Sequence, residues 1–240
     1  MFCINARRVL VVLALVILVA GCARKRPETK VKCLQPAKQL AGIVEGVRFA
    51  AEPWREDHLL APGDELDREA MDRELNRLAT ICPDEGEVAL VQALLASQRG
   101  ENHKAIQMLD RVLADDKSHP EAAVLRAKLA FEQGGSRLGL ALLERQILLR
   151  PDHPGLRESQ AAGFFVVGRF DEARRELQVA EVLGAPSWRV AFNLGLIAEY
   201  TGDLKGAEVL YEEAVRLQPQ WPAPLSRLRG LRVEAGGLTQ

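Results

Sequence analysis

The chain reads as all-α, a solenoid of four 34-residue helical hairpins closed by a further hairpin at the N-terminal end and a single helix at the C-terminal end. Three observations predict this. Glycines stand at Gly100, Gly134, Gly168 and Gly202, each 34 residues after the last. Small residues keep the same step ahead of them (Ala93, Ala127, Ala161, Gly195) and behind them (Ala105, Gly139, Ala173, Ala207). A large apolar residue follows at Leu109, Leu143, Leu177 and Tyr211. Glycine takes the left-handed conformation that a tight helix–helix turn needs. Paired small residues let the two helices of a hairpin touch, and the large residue fills the space beside them.

The N-terminus stands apart from this pattern. In residues 1–21, Arg7 and Arg8 precede the apolar run Val9–Ala20. That run is too short for a bilayer-spanning helix and has the layout of a signal-peptide core. Val19-Ala20-Gly21-Cys22 resembles a bacterial lipobox, which implies cleavage after Gly21 and a diacylglycerol and acyl lipid on Cys22. By the same resemblance, Ala23 rather than Asp after that cysteine implies the periplasmic face of the outer membrane. Residues 22–35 then form a polar linker whose basic run, Arg24 to Lys32, would be drawn to anionic headgroups.

Residues 36–85 are expected to form an N-terminal capping hairpin. Leu40, Ile43, Val44, Val47 and Ala51 make one helical stripe, and Leu66, Ala70, Met71, Leu75, Leu78, Ala79 and Ile81 make another. An antiparallel pairing brings Cys33 beside Cys82, and an oxidising compartment favours a disulfide between them.

The four repeats are read as 86–119, 120–153, 154–187 and 188–221, together spanning 86–221. The last is the best formed: Trp188 to Pro219 gives two amphipathic helices around Thr201-Gly202-Asp203. With Gly195, Ala207 and Ala214 at the close contacts, it resembles a tetratricopeptide (TPR) repeat, a helix–turn–helix unit of about 34 residues. The array departs from that pattern in places. Ala89, Ala123, Arg157 and Ala191 stand where a tryptophan is common, and Gly139 and Gln146 where alanine is. A mid-helix glycine costs roughly 1 kcal/mol relative to alanine, marking the repeat over 120–151 as the softest. Residues 222–240 supply a C-terminal capping helix and tail. Its Arg227, Arg229 and Arg232 are expected on the face where a further repeat would stack.

Composition and motifs argue against catalysis and nucleic-acid binding. The formal net charge is −1 and only 5% of residues are aromatic, which suits neither a phosphate-tracking surface nor a base-stacking platform. No glycine-rich phosphate loop, nucleophile motif or closely spaced Cys/His set occurs, so no catalytic residue, metal ligand or cofactor is expected beyond the lipid on Cys22. His119 and His153 precede prolines 34 residues apart and read as solvated turn residues, as does His103.

In the family resembled, the first helix of each pair lines the groove that binds partners. Here those positions hold Leu90 and Leu94, then Val124, Lys128 and Phe131. They continue with Glu158, Ala162 and Phe165, and end with Phe192, Asn193, Leu196, Glu199 and Tyr200. Only Lys128 and Asn193 match the carboxylate clamp of cytosolic co-chaperones, so that clamp is not supported. An apolar groove suits an amphipathic helix or an extended apolar segment. Helical spacing leaves open whether Phe131, Phe165 and Tyr200 line it or pack between repeats.

The resemblance implies a lipid-anchored periplasmic adaptor, similar to pilotins and Tad-type pilus assembly lipoproteins, whose partner is a secretin or pilus subunit. The alternative is an adaptor of peptidoglycan synthesis or hydrolysis enzymes, or of outer-membrane protein assembly.

Overall fold

The computed structural model describes residues 68–82 and 85–237, which form ten helices and no strand. The lipobox with Cys22, the basic linker, the first stripe of the N-terminal hairpin and Cys33 lie outside the described residues. In chain order the helices are α1 (Arg68–Ile81), α2 (Gly86–Gln98), α3 (Asn102–Asp115), α4 (Pro120–Glu132), α5 (Ser136–Leu149), α6 (Pro154–Val166), α7 (Phe170–Val182), α8 (Ser187–Tyr200), α9 (Leu204–Leu217) and α10 (Pro222–Gly237). From α2 to α9 they pair as four hairpins, stacked into a TPR-like solenoid.

One turn geometry makes every hairpin. Gly100, Gly134, Gly168 and Gly202 all have φ between 75° and 85°. The next amide in each case reaches five residues back, Glu101 to Ala96, Gly135 to Ala130, Arg169 to Phe164 and Asp203 to Ala198, at 2.7–2.9 Å. This is the Schellman closure, which satisfies carbonyls left open at a helix end. Between hairpins the chain stops differently. Pro120 and Pro154 start α4 and α6, where their fixed φ suits a first helical turn. The connection before α8 has no proline at that place and instead repeats the glycine closure, with Gly184 at φ 97° and Ala185 N–H on Ala180 C=O.

The core runs along the stack in successive layers. Leu75 and Leu78 of α1 pack on Val88, Val91 and Leu95 of α2. Leu109 and Leu129 join α3 to α4, and Leu143 and Leu156 join α5 to α6. Leu177 with Val190 and Ile197 carries the core onward. Tyr211 with Leu228 and Leu231 then closes it under α10. Full burial of each such side chain contributes about 1.5–3 kcal/mol. Cys82, just past α1, is also buried and engaged in a disulfide whose partner lies outside the described residues.

The structure corrects three expectations. His119 is buried rather than solvated, 7% exposed, and its Nδ1 caps α4 by accepting from Ala122 N–H. A turn residue that must satisfy a helix N-terminus is drawn inward with it. His103 lies in the first turn of α3, not in a turn between helices. On α10, Arg227 and Arg232 reach back to the last repeat, to Glu199 at 3.2 Å and to Glu208 and Glu212 at 3.4 and 3.3 Å. Carboxylates within reach on α8 and α9 hold these guanidinium groups beside the stack rather than on its outer face.

Candidate partner-binding site

The first helices carry a cleft of about 150 Å3 between α6 and α8. Its floor and walls are mostly apolar: Ala161, Ala162 and Phe165 from α6, Leu196 and Ile197 from α8. It is a depression because α6 presents two alanines where α8 offers leucine and isoleucine. Two polar groups stand on the lining, Asn193 and Glu158. Glu158 is only 11% exposed, and Arg189 clamps both its oxygens at 2.6 Å. A carboxylate gripped in this bidentate way is held rigidly and contributes little unbalanced charge.

Aromatic side chains flank the cleft. Phe165, Phe170 and Tyr200 form a triangle with ring centroids 5.3–5.7 Å apart, the separation of edge-to-face and tilted pairs. Tyr200 is 71% exposed and forms the outer corner. Phe192 sits in a second cluster, 5.6 Å from Tyr211 and 4.5 Å from Trp221. Phe131 is wedged between helices: a Cβ on Gly163 would lie 2.6 Å from its Cζ, and one on Gly139 would overlap the ring. Of the three aromatics whose direction spacing left open, Phe131 therefore packs between repeats. Phe165 lines the cleft, and Tyr200 stands at its edge.

The other expected positions spread along the same face. Leu90, Leu94 and Val124 are half-buried and pack against the core layers of α2 to α5. Lys128 is exposed on α4, 3.8 Å from Glu132. Sequence reasoning missed Phe170, Val166 and Trp221. Phe170 opens a second helix and Trp221 lies in the turn after one, places that a reading of first helices alone does not sample.

Polar groups gather at two other places. At the α5–α6 junction Gln146 and Gln160 are buried. Gln146 donates to Lys117 C=O at 2.8 Å, and the side-chain oxygens of both residues have no partner. Beside them Arg157 bonds Glu176 at 3.0 Å. At the start of the array a cleft of about 300 Å3 is rimmed by Glu85, Glu87, Arg111, Asp115, Asp116 and His119. Behind His119, Glu121 lies 3.4 Å from that imidazole and 3.3 Å from His153. Among the described residues, no group of three or more His, Cys, Asp or Glu is placed to hold a metal ion, and no helix is long and apolar enough to cross a membrane.

The family model for the tetratricopeptide repeat matches residues 90–150 and 160–222, just over half of the chain. Among solved structures the fold is similar to a thermophilic TPR protein of Thermus thermophilus, with a TM-score of 0.63 at 15% identity, covering 69% of this chain and 90% of that one. It is similar to a tetratricopeptide repeat protein of Parabacteroides merdae, at TM-score 0.59 and 18% identity over 68% of this chain and 64% of that one. MamA of Desulfovibrio magneticus matches at TM-score 0.50 and 17% identity, over 63% of this chain and 85% of that one. These identities speak for the fold alone. No curated protein matches the chain in sequence.

Proposed function

Because this chain belongs to the tetratricopeptide-repeat family, whose fold is a scaffold for protein–protein interaction, we propose that it is a membrane-tethered adaptor that holds a protein partner on the face of its first helices. The observation that carries this reading is the apolar cleft between α6 and α8, with Asn193 and an exposed aromatic corner beside it. An apolar recess with few, fixed polar groups is what an anchoring side chain of a partner requires.

The N-terminal sequence supports the tether. Acylation of Cys22 would place the array at the periplasmic face of the outer membrane, and tethering raises its effective concentration toward membrane partners. Within that setting we favour assembly of a pilus or secretion machine, with a secretin or pilus subunit as partner. We also propose Cys33 as the partner of Cys82, which non-reducing mass mapping tests by the linked peptide.

The adaptor reading is tested by photocrosslinking in intact cells from Ala162 and Tyr200, with Val182, which is 87% exposed on α7, as the control position. Crosslinks from the first two positions to a secretin or pilus subunit are expected. Recovery of a peptidoglycan enzyme instead would redirect the assignment, and crosslinks from Val182 alone would overturn the site.

A further inference from the structure

The solenoid register turns the first-helix face into rows. Leu94, Lys128, Ala162 and Leu196 form one row, Gln98, Glu132, Val166 and Tyr200 a second, and Glu87, Glu121, Gly155 and Arg189 a third. Ala162, Leu196 and Val166 line the α6–α8 cleft, and Arg189 clamps its Glu158. The rows therefore continue the same surface from the cleft onto α4 and α2.

Charge is distributed unequally along them. Over α6 and α8 the carboxylates are cancelled, Glu158 by Arg189 and Glu199 by Arg227. Over α2 and α4, Glu132 is offset by Lys128 at 3.8 Å, but Glu87 and Glu121 are 60% and 57% exposed and the rows hold no second lysine or arginine on those two helices. That half of the face carries an excess of negative charge, and the other half is neutral and apolar.

Resting on the adaptor reading above, we infer that the partner segment is bipartite: an apolar side chain enters the α6–α8 cleft while lysine or arginine residues lie over the acidic rows of α4 and α2. Neighbouring helices pack about 10 Å apart, and an extended chain advances about 3.3 Å per residue. The cleft lies half a spacing beyond α6, so the cationic residues sit roughly four and seven positions from the apolar anchor. The cleft supplies affinity through burial, and the acidic rows supply orientation and salt-sensitive steering.

The test uses the full-length chain in neutral phosphatidylcholine nanodiscs, with empty nanodiscs as blank. The probes are fluorescent Gly/Ser dodecapeptides carrying one phenylalanine and two lysines at offsets of about four and seven, in both orders. The expected result is that one order binds at least about tenfold tighter than its counterpart with serine for phenylalanine. It should also bind several-fold tighter than the peptide with glutamates for the lysines, an advantage that fades as salt is raised.

Two variants separate the parts. Ala162→Trp, at an exposed position, fills the cleft and should remove the preference for phenylalanine. Glu87→Gln with Glu121→Gln should remove the preference for lysine while leaving the melting temperature within a few degrees. Equal or tighter binding of the glutamate peptide overturns the inference. So does absence of peptide binding while crosslinks from Ala162 still recover a partner, in which case the adaptor reading stands. Loss of both results overturns the two together.

Discussion

The second and fourth hairpins solve one packing problem in opposite senses. In α4–α5 the aromatic ring is on the first helix, and Phe131 presses on Gly139 of its own hairpin and Gly163 of the next. In α8–α9 it is on the second helix, and Tyr211 presses on Gly195, where a Cβ would lie 2.6 Å from the ring. Each arrangement trades a methyl group for a close approach of ring to backbone. The difference lies in the hydroxyl. Tyr211 is fully buried, its hydroxyl donates a hydrogen bond to Glu199, and through that carboxylate it is joined to Arg227 of α10. Phe131 has no such handle, and the junction that follows it holds buried Gln146 and Gln160 with open acceptors. A bonded polar group specifies one geometry, whereas an unsatisfied one weakens the layer that contains it.

The comparison is broken most strongly at Tyr211. Tyr211→Ala removes the ring and is expected to destabilise by about 3–5 kcal/mol, read by denaturant unfolding. Gly163→Ala comes next. Alanine gains roughly 1 kcal/mol of helix propensity, but its Cβ collides with Phe131 and Leu140, leaving a net loss of about 1–2 kcal/mol. In a Phe131→Leu background the same substitution should become neutral or stabilising, and a double-mutant cycle reads the coupling.

A smaller effect sharpens the role of the hydroxyl. Burial, and then the hydrogen bond to Glu199, push the Tyr211 phenol well above its ordinary value near 10. The raised value means that folding favours the protonated phenol, so this contribution is whole below about pH 10 and falls as pH rises beyond it. Tyr211→Phe should cost about 1.5 kcal/mol at neutral pH and flatten that alkaline decline. Spectrophotometric titration of the wild type against Tyr211→Phe reads the shift of this phenol. Arg227→Ala, at a half-exposed ion pair, should cost less than about 1 kcal/mol and more at low salt than at high.

The repeat architecture was legible because it rests on local steric demands repeated at one period. Gly100, Gly134, Gly168 and Gly202 appear wherever the backbone turns left-handed within a hairpin, and α2, α4 and α6 begin 34 residues apart. What escaped the sequence depends on pairs brought together only by folding. Gly139 reads as a weak point in a helix until Phe131 is seen lying over it. Arg227 and Arg232 read as an outer face because their carboxylates sit 20 to 28 residues earlier. The cleft was half legible: Phe165, Ala162 and Leu196 follow from the register, but its depth comes from alanines on α6 facing larger residues on α8.

The stacking of each helix on its near neighbours along the chain has a mechanical consequence. Such an array bears tension as a series of joints rather than as a block, so its yield force is that of its weakest layer. The α5–α6 junction, where buried glutamine oxygens stand open, is the layer expected to give first. A partner held by the α6–α8 cleft alone would load this joint against an anchor at the N-terminus, whereas one that also reaches α4 and α2 bridges it. Bound by its cleft alone the protein would act as a compliant link, and bound along both halves of the face as a stiffened one.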